Sequence, residues 1–430
     1  MDKIKILLVS LFFSFTAFSQ NMYFPPISHA ANWDTLSPKS LDWCEDSLNS
    51  LYNYLEQNNT KSFIVLKDGK IIIEKYFGAF NQDSFWFWAS AGKSLSASLV
   101  GIAQQEGILD IQEPSSKYLG KWTSMDTAQE GKIKIVHHLS MSTGLNYNVS
   151  NLDCKDPSCL TYLNEPGTAW YYHNAPYLLT HNIVENASSL SFTQFTNTKL
   201  GLKTGITGLW SNGVFYSKAR VMARFGLWIL NKGVWNNDTI LKDSTYFNQM
   251  VNSSQSMNPA YGYLWWLNGK DTLMLPGFTL RVKAKLIPNA PMDLIAALGK
   301  YDQKIYVVPS QNLVVIRNGN ESSEVLPGPS GFDNALWGKL NNLKCNTLSS
   351  NNLIKPLNQT FQVMFDIETN QWRISGFENS SKIELLSIDG KYLSEITNES
   401  FNLNPYPLGM YLLKLKDKNN NLTCLKILNF

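Results

Sequence analysis

Ser90 and Lys93 are three residues apart in the stretch from Phe85 to Val100, where an aromatic run feeds into a small-residue pattern of helical period. That pattern predicts a helix with Ser90 in its first turn and Lys93 one turn later on the same face. A serine hydroxyl is a weak nucleophile at its free pKa, and an adjacent base activates it. A lysine desolvated by aromatic walls becomes neutral and can take the serine proton. The unpaired N–H groups of a helix start can hold a developing oxyanion. The spacing therefore suits acyl transfer through Ser90. The tetrapeptide alone also fits an exposed helix start, so the rest of the chain decides what it is.

The elements that must position the pair read as follows. Leu41–Leu55 is a predicted helix. Phe63–Leu66 and Ile71–Tyr76 form a predicted hairpin around Asp68-Gly69. The nucleophile helix ends near Gly107. From Ile108 to about Lys232 the signals are helical and loop-like, with helices expected at Ile135–Ser142, Tyr177–Ala187 and Ala219–Leu230. Strands are expected at Leu264–Leu267, Arg281–Ile287, Leu294–Leu298, Lys304–Val308 and Leu313–Arg317, then a helix at Phe332–Leu343. This order predicts an α+β fold: an antiparallel sheet completed by sequence-distant strands, flanked by helices and carrying a helical insertion, with the first and last helices on one face.

Asn346–Pro356 is Asn- and Ser-rich and reads as a linker. Short strands are expected after it at Gln362–Phe365, Gln371–Gly376, Lys382–Ser387, Tyr411–Lys416 and Cys424–Leu428, a small all-β domain over 357–430. Met1–Ser19 has a charged start, an apolar run and small residues before Gln20, the pattern of a secretory signal. The expected division is a signal peptide at 1–19, a catalytic domain at 20–345, a linker at 346–356 and the small domain at 357–430.

Formal net charge is +3 with no basic block, which argues against a nucleic-acid partner. Export gives the five cysteines a structural meaning. Cys154 and Cys159 flank a turn-forming stretch and are candidates for a local disulfide. Cys44 and Cys345 would meet if the first and last helices pack side by side, leaving Cys424. The five histidines show no ligand spacing to accompany the Cys pair, so neither a metal nor a cofactor is expected.

Taken together, the ordered motifs across roughly residues 40–345 resemble the β-lactamase-related serine hydrolases, the family of class C β-lactamases, D-stereospecific peptidases and aminohexanoate-oligomer hydrolases. Asp68-Gly69-Lys70 with Glu74-Lys75-Tyr76 resembles the family's opening hairpin, Ser90-x-x-Lys93 its nucleophile motif, and Ile135–Leu145 its segment after that helix. Pro166-Gly167-Thr168 with Tyr172-His173-Asn174 resembles its second catalytic element. The resemblance implies that Tyr172, as a phenolate or a hydrogen-bonded phenol, relays the serine proton to the leaving group, and that Asn174 donates to a substrate carbonyl. Read without it, Tyr171 and Tyr172 are core aromatics.

Lys203-Thr204-Gly205 spells the K-T-G of penicillin-binding proteins, but it follows a helix and resembles a different family stretch. Ala297-Leu298-Gly299-Lys300, ending a predicted strand, fits the third element better. By resemblance, the N–H after Gly299 pairs with that of Ser90 as an oxyanion hole. Ala297 replaces the Lys or His that recognises a substrate carboxylate in β-lactamases. Asp302 replaces a usual Gly. Tyr261–Trp266 resembles an aromatic family segment that either lines an acyl pocket or packs the core. The tail resembles the type IX secretion sorting domain, through Ile383–Lys391, Pro407–Leu413 and Lys426–Leu428.

These readings imply a serine hydrolase acting on a small-molecule or peptide ester or amide. The resemblance of the tail implies a secretion-machinery partner, passage through the periplasm of a Gram-negative cell, and a secreted or surface location. The alternative is a catalytically silent cell-wall- or peptide-binding protein on the same fold.

Overall fold

The structure, a computed structural model, describes residues 22–322, 329, 331–345, 362–366, 369, 371–388, 390–407, 409–420 and 422–429. The expected signal segment 1–19 and linker 346–356 lie outside these residues. The chain divides into two compact units, Met1–Asn346 and Thr347–Phe430.

In the first unit, α1 (Glu45–Gln57) leads into β1 (Thr60–Lys67) and β2 (Lys70–Tyr76). Asp68 and Gly69 both have positive φ, 51° and 83°, as a two-residue hairpin turn demands. A Cβ on Gly69 would lie 1.8 Å from the Tyr23 carbonyl oxygen, so no other residue fits there. β3 (Phe85–Phe87) precedes α2 (Gly92–Gln105). α3 (Asn174–Ser188), β4 (Leu209–Ser211), β5 (Val214–Lys218) and α4 (Ala219–Leu230) follow. The unit closes with β6 (Trp266–Leu267), β7 (Ile295–Gly299), β8 (Gln303–Val308), β9 (Leu313–Gly319) and α5 (Gly331–Asn341).

The main sheet runs β2-β1-β9-β8-β7-β6, all antiparallel. The early hairpin is thus completed by strands from residue 266 onward, as the burial pattern requires. Val65 of β1 pairs with Val315 of β9, and every residue of β8 and β9 is buried. α1 and α5 meet through stacked Tyr54 and Phe332 rings 5.6 Å apart and through the Cys44–Cys345 disulfide. Cys154–Cys159 is the second disulfide, and Cys424 is free and exposed.

α2 is buried along nearly its whole length, which explains its small residues. Ser94 donates to the Leu264 carbonyl at 2.7 Å, while Ser96 and Ser98 bond back to the carbonyls four residues earlier. A Cβ on Gly101 would stand 2.3 Å from the buried Tyr246 ring, so glycine permits that approach.

Two expectations need correcting. Arg281–Ile287 is not a strand, despite its alternation. Leu280 and Val282 are exposed, one isolated bridge joins Leu273 and Val282, and the Arg281 side chain bonds Thr272 and the Ser256 carbonyl. With no neighbouring ladder to satisfy it, the segment stays a loop. The nucleophile helix also starts later than expected: Ser90 sits in a 3₁₀ turn, Ala89–Ala91, just before α2.

The second unit is all-β. Its strands are β10 (Gln362–Asp366), β11 (Gln371–Ser375), β12 (Ser380–Ser387), β13 (Tyr392–Glu395), β14 (Ser400–Phe401), β15 (Gly409–Asp417) and β16 (Leu422–Asn429). They form sheets β10-β11-β14 and β13-β12-β15-β16. Alternate residues, among them Ile383, Leu385, Leu413 and Leu415, fill the core.

Candidate active site

Ser90 is placed by the residues before it. Trp88 is fully buried, its N–H bonds the Phe215 carbonyl at 2.8 Å, and its indole donates to Ser217 at 2.8 Å. β3 pairs with β5, which pairs with β4, so a three-stranded sheet outside the main one fixes the approach to Ser90. Ala89 has a φ of 48°, a conformation L side chains avoid. The chain turns sharply there and presents Ser90, half-buried, at a cleft of about 660 Å³.

Lys93 Nζ lies 3.1 Å from Ser90 Oγ. The ammonium group faces the rings of Tyr177 and Tyr172, at 4.2 and 5.1 Å from their centroids. Burial lowers its pKa to about 7, partly opposed by Asp153. The Ser90 hydroxyl beside it favours the Tyr172 phenolate, but burial outweighs this and raises the Tyr172 pKa to about 12. At neutral pH it is a phenol and Lys93 is the group able to accept a proton. Tyr172 is held from behind by Trp266, stacked at 6.0 Å, and by Tyr261, edge-on at 6.2 Å. The segment Tyr261–Trp266 is therefore buried packing that supports the tyrosine and does not line the cleft.

Asn174 opens α3 on the cleft wall with its Oδ1 buried and unpartnered among the described residues. Lys300 also borders the cleft, and Gly299 abuts the nucleophile turn: a Cβ there would be 2.3 Å from the Trp88 carbonyl oxygen and 3.1 Å from the Ala91 nitrogen. Ser90 lies in the 3₁₀ turn Ala89–Ala91, and Lys300 opens the tight turn between β7 and β8, in which Tyr301 has a φ of 60°. Ala297 is fully buried in the hydrophobic core and contributes nothing to the cleft surface. Lys203-Thr204-Gly205 is a helix end: Gly205 has φ 73°, Thr204 bonds the Leu200 carbonyl, and Lys203 pairs with Asp238.

The sequence reading missed the rest of the cleft wall. His181, Asn182 and Glu185 line it along with Asn174, Tyr177 and Leu178. Those spacings are one face of a helix, and that pattern was present to be read. His181 bonds Ser96 at 2.8 Å and stacks on Phe192, and burial drives its pKa down to about 3, so it is neutral. Asp153 and Lys155, beside and within the loop closed by the Cys154–Cys159 disulfide, also line the cleft, and Lys155 Nζ donates to Asn182 Oδ1 at 3.1 Å.

This sheet, with helices on both faces and an inserted helical region, is a β-lactamase/transpeptidase-like fold. Residues 55–212 match the family model described as Beta-lactamase. An uncharacterized protein of Alkalihalophilus pseudofirmus is 23% identical over 315 residues, 63% of this chain and 86% of that protein. The 6-aminohexanoate-dimer hydrolase of Paenarthrobacter ureafaciens is 26% identical over 130 residues, 30% of this chain and 32% of that enzyme. Among solved structures, a candidate 6-aminohexanoate-dimer hydrolase from Bacillus anthracis superposes with TM-score 0.55 at 17% identity, covering 73% of this chain and 86% of that one. A candidate beta-lactamase from Bacteroides dorei gives TM-score 0.55 at 16% identity, covering 70% and 99%.

Proposed function

We propose that this protein is an exported serine hydrolase that opens an ester or amide bond through an acyl-enzyme on Ser90. The observation that carries the reading is the 3.1 Å approach of Lys93 Nζ to Ser90 Oγ with the amine desolvated to a pKa of about 7. Neutral Lys93 takes the hydroxyl proton as Oγ adds to the carbonyl carbon. The N–H groups of Ser90 and Lys300 receive the oxyanion. Tyr172, a phenol at working pH, passes its proton to the leaving oxygen or nitrogen as the bond to the carbonyl carbon breaks, and the proton that Lys93 took from Ser90 restores the phenol. Asn174 supplies a hydrogen-bonding group to the bound acyl portion. Water then attacks the ester on Ser90 while neutral Lys93 takes its proton, the bond from the acyl carbon to Oγ breaks, Lys93 returns the proton to Oγ, and the acid leaves.

The test is the intact mass of the mature protein after incubation with a fluorophosphonate and, separately, a penicillin. The expected result is one phosphonyl adduct that maps to Ser90, with fluoride lost. With no cation at position 297, the penicillin is expected to add slowly or not at all. No adduct with either reagent in folded protein would favour the silent binding reading.

We further propose that the C-terminal all-β unit is a secretion address of the type IX kind, which the strand motifs at 383–391 and 407–413 support. Deleting 357–430 is expected to leave the enzyme in the periplasm when it is expressed in a bacterium that has that machinery. Unchanged release into the medium would overturn the assignment.

A further inference from the structure

We propose that Arg317, Asp302 and Gln303 are positioning residues that hold the Lys300 N–H in place to meet an oxyanion on the Ser90 side of the cleft. The inference rests on the hydrolase reading above and concerns how its oxyanion site is kept rigid.

The hairpin between β7 and β8 turns through Lys300, Tyr301 and Asp302, and Tyr301 and Asp302 have φ of 60° and 58°. Two successive L residues in the left-handed region persist only where their surroundings fix them. Three side chains do so from behind.

Arg317 is fully buried on β9. Its guanidinium donates to the carbonyls of Tyr301 at 2.9 Å and Asp302 at 3.0 Å. Its remaining donors reach Thr60 Oγ1 and the carbonyls of Asn58 and Asn320. Five donors meet five acceptors, so the group is locked in one orientation. Gln303 Nε2 donates to the Tyr301 and Gly319 carbonyls, both at 2.7 Å, and its Oε1 accepts from the Gly319 N–H at 3.2 Å. The Asp302 carboxylate points inward, 3.1 Å from Lys304 Nζ, and accepts from the Ser322 N–H and hydroxyl. Lys304 in turn meets Asp333 at 2.8 Å.

The front of the same turn packs against the residues that flank Ser90. Gly299 packs against Trp88 and Ala91 with no side chain between them. A shift of the hairpin tip therefore changes the separation of Lys300 from Ser90 directly, and small misplacements of an oxyanion donor are costly. A turn needed only to reverse the chain would be served by glycine at these positions. Here an aspartate is used, and its carboxylate is tied into the core.

The test compares 4-nitrophenyl acetate with its thionocarbonyl counterpart on the full chain. Sulfur accepts N–H hydrogen bonds poorly, so a working oxyanion site favours the oxygen ester. Arg317→Lys and Gln303→Met are expected to lower kcat on the oxygen ester about tenfold or more, with KM within about twofold. The oxygen-to-sulfur rate ratio should fall at least about threefold in the same proteins. General loosening of the fold would lower both rates together and leave the ratio alone.

An unchanged ratio in folded variants overturns the inference. If Arg317→Lys does not fold, Gln303→Met and Asp302→Gly carry the test. Glycine accepts the φ of 58° while removing the carboxylate. Wild-type protein that turns over neither ester and takes no fluorophosphonate would instead defeat the hydrolase reading itself, and this inference with it.

Discussion

Ser90→Ala is expected to lower kcat by about 10⁴-fold or more while leaving KM within about threefold. The asymmetry follows from what the hydroxyl touches. Ser90 Oγ lies 3.1 Å from Lys93 Nζ, the base of the proposed proton path, and it forms one small part of the wall of a cleft of about 660 Å³. Removing it deletes the bond-forming atom and little binding surface. Because Ser90 is half-buried in a turn held by Trp88, the variant should fold with an unchanged denaturation midpoint. Steady-state kinetics on an activated ester, with a thermal melt alongside, checks both points. Residual turnover above about one per cent in folded Ser90→Ala would mean that another group does the chemistry.

The Ser90–Lys93 pair was legible because it is local. A helical spacing, an aromatic approach and a small-residue continuation are all written within sixteen residues. The hairpin at Asp68-Gly69 was legible for the same reason, since the turn chemistry is contained in two residues. The meeting of Cys44 with Cys345 could be inferred one step further out, because an α+β layer places its first and last helices on one face.

What failed to show was whatever depends on several distant backbones at once. β3, β4 and β5 are strands of three to five residues, too short for a readable period, yet their pairing sets the turn that carries Ser90. Asp302 stood out in the sequence only as the replacement of a usual Gly. It is explained only when Lys304 and Ser322 are seen to receive its carboxylate. Arg317 drew no notice in the sequence. Its function comes from carbonyls contributed by residues 58, 301, 302 and 320, a set that no local pattern announces. Arg281–Ile287 failed in the opposite direction: alternation marks a strand only where a neighbouring strand is there to pair with it.

Lys93→Met should separate activity from stability. Lys93 is only 4% exposed, forms no ion pair among the described residues, and has its pKa lowered to about 7 mainly by burial. Its unfolded pKa lies near 10.4. Between those values the unfolded chain binds more protons than the folded one, so this group makes stability rise with pH from about 7 to about 10.4. At pH 6 the folded protein carries a buried ammonium against its preference. Methionine fills similar volume without that charge, so the variant should be more stable than wild type at pH 6, on the order of 3 kcal/mol by denaturant midpoint. The gap should narrow as pH approaches 10.

Activity should move the other way. Wild-type acylation should rise with pH through a midpoint near 7, as Lys93 loses its proton and becomes able to accept the one on Ser90. The methionine variant should lose about 10³-fold or more in acylation rate, together with that pH dependence. A variant that is inactive but no more stable at pH 6 would show that Lys93 is not held neutral by burial. One that stays active would show that the base is another residue. On the proposed mechanism, the same burial that fits Lys93 to act as a base near neutral pH is what the fold gives up stability to maintain.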